Sequence, residues 1–409
     1  MIKSVLEKQL EKIKLNEKEF KELEEKAKKL YSNLEKNLKK RKIRADVFVG
    51  GSLAKKTLLK KDIYDIDIFV RFDKKYKDNE ISRLLEKALG IARKVHGSRD
   101  YFQIRQGKVT FEIIPVIKIK NAKEARNVTD LSYFHVSYVK NKIDKNKKLA
   151  DEIMLAKSFS YANKCYGAES YIKGFSGYAL ELLVIYYKSF MNFIKAVAKA
   201  KEKIVLDPEK HYKNKQEILL NLNEAKLASA MVFVDPTFKE RNVLAALSQE
   251  TFLKFKDVCK KFLAKPSTIF FEESKIDKKD YNLIIKAGTN KQEGAIAGSK
   301  LLKFFKFLQQ ELSRYFEIKK SEFNYNNEKA AYFYFKIKPR RELILSGPPI
   351  NAVENVLAFR KKHKSAFIKQ GKVYAKEKIN TNPKKFINDF KIKNKDKMKD
   401  MGINELKIS

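Results

Sequence analysis

The sequence predicts a multidomain α+β protein with a mixed-sheet region first, a helical region next and a second α+β region last. The chain has 409 residues, and at roughly 150 residues per domain this length suggests two to four domains. Short β-rich runs with one helix among them occupy residues 46–118. Residues 150–265 instead show the helical spacing of apolar residues, and strands return beyond them.

The first region begins with residues 1–40, whose apolar positions at helical spacing predict two helices. A short helix is expected from Leu53 to Leu59. A longer helix is expected over the run ISRLLEKALGIARKVH, residues 81–96. The predicted strands are DVFVGG, DIDIFVRF, DYFQIRQ and KVTFEIIPVI. This order of elements predicts a mixed sheet with helices packed against it.

The middle and last regions are assigned in the same way. Helices are predicted over DEIMLAKSFSYANKCYG, SGYALELLVIYYKSFMNFIKAVAKAKEK and RNVLAALSQETFLKFKDVCKKFLAK, and the apolar run GYALELLVIYY is assigned to the core without a chemical role. The segment KPSTIFFEES predicts a domain boundary followed by a strand. Beyond it, helices are expected near 295–313 and 351–363, strands near 314–324 and 330–338, and a solvated, partly disordered Lys-rich tail over 384–409. We therefore expect domains at 1–148, 149–265 and 266–409.

The charge balance bears on the partners of the protein. With 90 Lys and Arg against 50 Asp and Glu, the net charge is +40, and nucleic acid is the commonest polyanion that such a field attracts. An AT-rich genome or a hot habitat is an alternative source of Lys, although neither requires so large an excess over acidic residues.

Composition also excludes several classes of protein. Two cysteines, Cys165 and Cys259, form neither a disulfide framework nor a zinc site. No apolar run of about 18 residues predicts a transmembrane helix, and the charged N-terminus is unlike a signal peptide. The expectation is a cytoplasmic protein that does not bind a membrane.

The run DIDIFVRF places two carboxylates inside a predicted buried strand. Because strand side chains alternate between faces, Asp65 and Asp67 point the same way while Ile66 and Ile68 enter the core. Adjacent carboxylates repel each other unless a cation lies between them, and hard oxygen ligands suit Mg²⁺. Glu112, in KVTFEIIPVI, is a candidate third ligand of a two-metal site for displacement at phosphorus. The alternative is a pair of surface carboxylates on an edge strand.

The preceding run GGSLAKKT fits phosphate chemistry. Gly50 and Gly51 allow close approach of the backbone to a ligand, and Ser52 would lie at a helix N-terminus where N–H groups favour phosphate. Lys55 adds a positive charge one turn later. Ser52 could equally serve as an N-cap, a role compatible with phosphate binding.

These runs carry a resemblance to a known family. GGSLAKKT followed by DID resembles the Gly-Ser…Asp-x-Asp signature of the polymerase β-like nucleotidyltransferases. Longer segments are similar to the archaeal, class I CCA-adding enzymes: LSYFHVSYV (131–139), YGAESYIKGFSGYALELLVIYYKSF (166–190), VFVDPTFKERNVLAALS (232–248) and GPPI…FRKKH (347–363). The resemblance extends from about residue 40 to about residue 370.

The resemblance implies a nucleotidyltransferase head, a helical neck and an α+β body and tail. It also implies addition of C, C and A to the 3′ end of tRNA from CTP and ATP, without a nucleic-acid template and with Mg²⁺, through contacts to the acceptor stem. Its site residues, carried over, are Asp65, Asp67 and Glu112 as metal ligands and catalytic groups, and Gly51, Ser52, Lys55, His135, Lys157, Tyr166 and Arg241 as nucleotide-binding groups, Arg241 at the base edge. Two positions depart from the family, which usually has Arg at Lys55 and Asp at Glu112.

Other interpretations remain at this level. Taken singly, His135 would be a packed residue, Lys157 a solvated one, Tyr166 a core residue and Arg241 a salt-bridge partner in the neck. The whole chain could be another RNA nucleotidyltransferase, such as a poly(A) or oligoadenylate synthase, or an RNA-binding protein with a decayed active site. A homodimer is also considered, because the sequence does not give the oligomeric state.

Overall fold

A computed structural model describes residues 2–97, 99–273, 276–290, 293–326, 329–378 and 382–409. Their contacts divide the chain into two compact units, one formed by residues 1–168 and 172–274 and the other by 169–171 and 275–409. None of the helices in these described segments has the length and apolarity needed to cross a bilayer.

The first unit is built around a mixed sheet of order β1-β2-β5-β4-β3. Its strands are β1 Ala45–Val49, β2 Tyr64–Phe72, β3 Arg93–Val95, β4 Tyr101–Gln106 and β5 Val109–Ile117. Strands β2 and β5 pair in parallel, and the other neighbours pair antiparallel. The mixed sheet predicted for this region is confirmed, and β2 lies inside the sheet rather than at its edge.

The N-terminal helices pack in two places. Helix α1 Ile2–Ile13 packs into the core of the helical part of the unit, whereas α2 Glu17–Lys40, α3 Gly51–Ala54 and α4 Asp78–Leu89 pack against the sheet. Helix α2 begins at a capping box formed by Asn16 and Glu19, and its buried Leu23, Leu34 and Leu38 join the sheet core. The two helices predicted for residues 1–40 are therefore present.

Two helix predictions in this region are too long. The helix expected over 81–96 ends at Leu89, because Gly90 takes a left-handed φ of +74°, and residues 93–95 form the edge strand β3. The helix expected over Leu53–Leu59 is only the four residues of α3, after which Lys56 adopts a φ of +56°.

The rest of the first unit is mainly helical and has a core of its own. Its elements are α5 Ser132–Lys145, α6 Lys148–Ala162, α7 Gly177–Tyr187, α8 Phe190–Lys199, β6 Ile204–Leu206, α9 Lys215–Asn221, α10 Glu224–Leu227, β7 Met231–Asp235, β8 Phe238–Asn242 and α11 Gln249–Ala264. The predicted helical run 176–203 is broken at Lys188, which has a φ of +66°. Of the run 241–265, only the part from Gln249 is helical, and Ser248 caps it.

The second unit contains two sheets, of order β10-β11-β9-β15 and β12-β14-β13. Its elements are β9 Leu283–Thr289, α12 Gly294–Tyr315, β10 Phe316–Tyr325, β11 Ala330–Pro339, β12 Glu342–Pro349, α13 Val353–Lys362, β13 Ala366–Lys369, β14 Lys372–Lys378, α14 Pro383–Lys393, α15 Lys395–Asp400 and β15 Ile403–Ile408. Helix α12 buries an apolar stripe that includes Leu301, Phe304 and Leu308 against the first of these sheets.

The prediction for the Lys-rich C-terminus is wrong. Residues 383–400 form α14 and α15, and β15 pairs antiparallel with β9. Phe386, Ile387 and Phe390 recur at helical spacing and are buried, while the lysines of the same helix point to solvent. The abundance of lysine concealed this amphipathic pattern.

Candidate active site

Three carboxylates share one face of the first sheet. Asp65 and Asp67 alternate with the fully buried Ile66 and Ile68 along β2, and Glu112 on β5 lies directly opposite Asp67 in the parallel pairing. Asp65 is exposed, whereas Asp67 and Glu112 are half-buried. The face predicted for the aspartates is the one that the strand adopts.

Their electrostatics reflect this crowding. Burial, and after it the charge of Glu112, raises the pKa of Asp67 to about 7. Burial also raises the pKa of Glu112 and of Asp65, with the neighbouring Asp65 adding to the shift of Glu112 and Lys61 opposing that of Asp65. Carboxylates that raise one another's pKa form an environment that a cation would relieve.

The donor set therefore fits a hard divalent cation in its chemistry. Glu112 Oε1 accepts a hydrogen bond from Gln103 Nε2 at 2.9 Å, across the antiparallel pairing of β4 with β5. Because a carboxylate accepts at two oxygens, Glu112 can keep this hydrogen bond and still bind a cation. In the segments that the structure describes, no three Asp, Glu, His or Cys side chains are grouped closely enough to hold an ion as they stand.

The Gly-Gly-Ser segment lies directly on the carboxylates. The Gly50 N–H donates to the Asp67 carbonyl oxygen at 2.9 Å. Gly51 has a φ of +60°, and a Cβ at this position would lie 1.8 Å from Asp67 Oδ2, so only glycine fits here. Because α3 has only four residues, the helix N-terminus expected to favour phosphate at Ser52 is a single turn.

Lys55 and Lys157 are brought together by a shared counter-ion. Lys55 Nζ lies 2.7 Å from Glu181 Oε2, and Lys157 Nζ lies 2.8 Å from Glu181 Oε1 and 2.9 Å from Thr57 Oγ1. All three charged side chains are buried. Burial lowers the pKa of Lys55 against the opposing attraction of Glu181, and the charges of the two lysines outweigh burial to lower the pKa of Glu181.

Tyr166 and Ser52 meet Lys157 in a small pocket beside this pair. The pocket is lined by Ser52, Thr57, Leu58, Leu59, Lys61, Lys157, Tyr161 and Tyr166. The Tyr166 hydroxyl lies above Gly177, where an added Cβ would be 2.9 Å from it. The structure thus brings the predicted Ser52, Lys157 and Tyr166 together.

His135 and Arg241 converge on a carboxylate that the sequence reasoning did not identify. Asp235 Oδ2 lies 2.6 Å from Arg241 Nη1 and 3.1 Å from His135 Nε2. Tyr178 stacks on His135 at 4.1 Å between ring centroids and donates its hydroxyl to Asp235 Oδ1 at 3.1 Å. The Asp235 side chain has no exposure, whereas that of Arg241 is 27% exposed.

In this second cluster, the surrounding groups stabilise the negative charge of Asp235. Although burial opposes it, the hydrogen bond and charge of His135 and the charge of Arg241 lower the pKa of Asp235. Burial lowers the pKa of His135, against the pull of Asp235. An ionised Asp235 therefore holds Arg241 by Nη1, and the contacts found among the described residues leave Nη2 and Nε for a ligand.

Comparison with known proteins shows what the domains that carry these clusters are similar to. Residues 31–154 match the family model described as a nucleotidyltransferase domain, and residues 151–272 match that of the second domain of tRNA nucleotidyltransferase. The CCA-adding enzyme of Nanoarchaeum equitans is 42% identical over 265 residues, which are 64% of this chain and 65% of that protein. Residues 31–272 thus match two nucleotidyltransferase family models, and the chain is similar to the archaeal CCA-adding enzymes.

Other relatives agree with this family. The CCA-adding enzyme of Methanocaldococcus jannaschii is 28% identical over 81% of this chain and 77% of its own length. That of Methanosarcina mazei is 33% identical over 69% of this chain and 61% of its own length. The match to the Nanoarchaeum equitans and Methanosarcina mazei relatives thus spans less than two thirds of each of those proteins.

Solved structures agree on the fold. The RNA terminal uridylyl transferase Cid1 superposes with a TM-score of 0.51 at 17% identity, covering 66% of this chain and 98% of that chain. The polymerase β-like α+β fold expected from the Gly-Ser…Asp-x-Asp signature is confirmed by the nucleotidyltransferase match and this likeness. Nucleotidyltransferases of this family generally use a divalent metal, in keeping with the three carboxylates.

Two residues of the site were missed at the level of sequence. Glu181 lies in the run GYALELLVIYY, which was assigned to the core without a chemical role, and Asp235 ends the apolar strand β7. The signal for both was a single carboxylate in an apolar run, because buried Glu and Asp are rare unless they are paired. Their ion-pair partners come from other parts of the chain, so the sequence could not predict which charged residues they pair with.

Proposed function

We propose that this chain adds C, C and A to the 3′ end of tRNA, using CTP and ATP without a nucleic-acid template. The observation that carries the proposal is the set of three carboxylates on one face of β2 and β5, beside the Gly-Gly-Ser segment, in a chain similar to the archaeal CCA-adding enzymes. In the reaction, the 3′-hydroxyl of tRNA attacks the α-phosphate of the nucleotide and pyrophosphate leaves.

Asp65, Asp67 and Glu112 hold Mg²⁺ in this proposal. Two ions held there would supply two-metal chemistry, one lowering the pKa of the attacking hydroxyl and the other steadying the leaving pyrophosphate. The raised pKa of Asp67, about 7, supports this role, because a carboxylate held at a cost in the free protein gains most from a cation. Glu112 would join the two aspartates in the donor set while its Oε1 accepts the hydrogen bond from Gln103.

The triphosphate is bound by Gly51, Ser52, Lys55, Lys157 and Tyr166. Lys157, Ser52 and Tyr166 line one pocket, and Lys55 is joined to Lys157 through Glu181. Two ammonium groups with one carboxylate leave a net positive charge that suits a polyphosphate.

The base is contacted by His135 and Arg241. Both C and A present a ring acceptor beside an exocyclic amine, and a guanidinium donates to such an acceptor. The ion pair with Asp235 through Nη1 supports this role, because it sets the direction of the remaining donors of Arg241.

The remaining parts of the proposal concern the whole chain. We divide it into a catalytic head (1–148), a neck for base recognition (149–265) and a body and tail that bind tRNA (266–409). The net charge of +40 supports an RNA partner. The protein is proposed to act in the cytoplasm. A homodimer is considered as its oligomeric state, and light scattering would measure it.

The test is incorporation of labelled nucleotides into tRNA that ends before CCA. CTP and ATP should be incorporated, GTP and UTP should not, and Asp65→Ala should abolish incorporation while tRNA binding stays near that of the wild type. Incorporation of ATP alone in long runs would support a poly(A) synthase instead. Binding of tRNA without incorporation of any nucleotide would indicate a decayed enzyme.

A further inference from the structure

Glu181 is a buried carboxylate that joins two separate parts of the first unit. It lies on α7, between the fully buried Leu180 and the buried Leu182, and its side chain is 1% exposed. One of its oxygens contacts Lys55, which follows α3, and the other contacts Lys157 on α6. Three sequence-distant elements therefore meet at this single side chain.

The arrangement is a costly way to stabilise a fold. Burying charges costs desolvation free energy that pairing only partly returns, and apolar side chains of similar size usually pack as well. Here one carboxylate is paired directly with two ammonium groups, and Asp67 is a further carboxylate whose charge acts on both lysines. A buried charge cluster beside the proposed nucleotide site is explained more readily by a ligand than by stability.

The geometry also restricts both lysines. Lysine has a flexible four-carbon stem, so an unpaired ammonium group samples many positions. Lys157 is held twice, by Glu181 and by Thr57 Oγ1, which itself lies 3.5 Å from the same Glu181 oxygen. Lys157 lines the pocket that also contains Ser52 and Tyr166.

We propose that Glu181 is a positioning residue, which holds the ammonium groups of Lys55 and Lys157 side by side so that the polyphosphate of the nucleotide meets two ordered charges. The inference rests on the proposed function, because it concerns the same nucleotide site. Ordering the two lysines before the ligand arrives removes the entropic cost of ordering them on binding. Glu181 itself does not touch the nucleotide.

The sign of the effect separates this role from a simpler one. Glu181 is negative, so if it only neutralised charge, its removal would strengthen the binding of an anion. If it positions the lysines, its removal weakens binding, because the two ammonium groups then repel each other and separate. The two roles predict opposite changes for the same variant.

The experiment is calorimetric titration of inorganic tripolyphosphate into the full chain, in buffer containing Mg²⁺ and without tRNA. Glu181→Gln should weaken binding by about tenfold or more, the range expected when charge-assisted hydrogen bonds are lost. Kd values for CTP and ATP should rise by the same factor, because the lysines face the phosphates that both share. Base preference and tRNA affinity should not change.

Asp130→Asn is the matched control. Asp130 is likewise fully buried and ion-paired, with Arg99, so its loss tests for general loosening of the fold. It should leave tripolyphosphate affinity within about twofold of the wild type. Glu181→Asp keeps the charge but is one methylene too short to span both lysines, so it should weaken tripolyphosphate binding by about threefold or more. If Glu181→Gln does not fold, Glu181→Asp tests the positioning role in its place.

Several results would overturn the inference. They are unchanged or tighter tripolyphosphate binding in Glu181→Gln, wild-type binding in Glu181→Asp, or equal losses in Asp130→Asn. A wild-type chain that binds no tripolyphosphate would also overturn it. A wild-type chain that binds tripolyphosphate but incorporates neither C nor A into tRNA would refute the proposed function and leave the positioning role standing.

Discussion

Asp67→Asn should stabilise the protein when no divalent cation is present. In the folded chain, burial and Glu112 raise the pKa of Asp67 from an ordinary value of 3.8 to about 7. The unfolded chain therefore releases this proton first as the pH rises, and stability is lost progressively between about pH 4 and pH 7. An amide keeps the shape of the side chain and does not ionise, so it avoids this loss.

The shift sets the size of the effect. A rise of about three pKa units, at 1.36 kcal/mol per unit, corresponds to a loss of at most about 4 kcal/mol in the free energy of unfolding of the wild type above pH 7. Asp67 is only half-buried, and its substitution also removes the attraction to Lys55. We therefore expect Asp67→Asn to raise the free energy of unfolding by about 2 kcal/mol. For a unit of this size that gain raises Tm by about 4–8 °C.

The assay is thermal unfolding at pH 5 and pH 8, with EDTA and with Mg²⁺. In EDTA, Asp67→Asn should melt above the wild type at pH 8 and close to it at pH 5. Mg²⁺ should raise the Tm of the wild type at pH 8 and have little effect on the variant. Asp144→Asn, an exposed site on α5, is the control and should change nothing. A variant that melts below the wild type by the same amount at both pH values would refute the reasoning.

Three further predictions concern the metal site, the base-binding site and the positive charge of the chain. Glu112→Asp should retain or raise incorporation, whereas Glu112→Gln should lose most of it because the cation needs the carboxylate charge; equal activity of Gln and Glu in a single-turnover assay would exclude Glu112 as a ligand. Arg241→Ala should lower kcat/KM for CTP and ATP by about ten- to a hundredfold, the worth of a charged hydrogen bond, and narrow the preference for CTP over UTP in a four-nucleotide assay. An unchanged preference would make Arg241 only the structural partner of Asp235. The tRNA dissociation constant should rise steeply with salt, by a log–log slope of roughly 0.9 for each duplex phosphate neutralised. A slope near zero by filter binding would show that the excess of Lys and Arg does not bind the RNA.

Much of the fold was predictable because its signals are local. Alternation of apolar residues placed β2 and β5, and helical spacing placed α2, α6 and α12. Two of the helix predictions are too long because a single backbone torsion decides where the helix ends. Gly90 and Lys188 adopt left-handed conformations that end helices which the apolar pattern alone would continue.

The C-terminal error has a different cause. Composition predicted a solvated tail, yet Ile403 and Leu406 are buried in β15 beside β9. A strand with few apolar residues becomes stable only when a distant strand offers it hydrogen bonds and a core to cover. That partner lies more than a hundred residues earlier in the chain, where no local pattern could reveal it.

The sequence by itself determined the shared face of Asp65 and Asp67, because two-residue alternation in a strand is a property of the backbone. It also determined the need for glycine beside them, since only glycine accommodates the φ and the contact found at Gly51. The tertiary structure alone decided which charges meet. It joined Lys55 and Lys157 through Glu181, and His135 and Arg241 through Asp235. Ion pairing depends on distance in space, and these partners are separated in sequence by up to 126 residues.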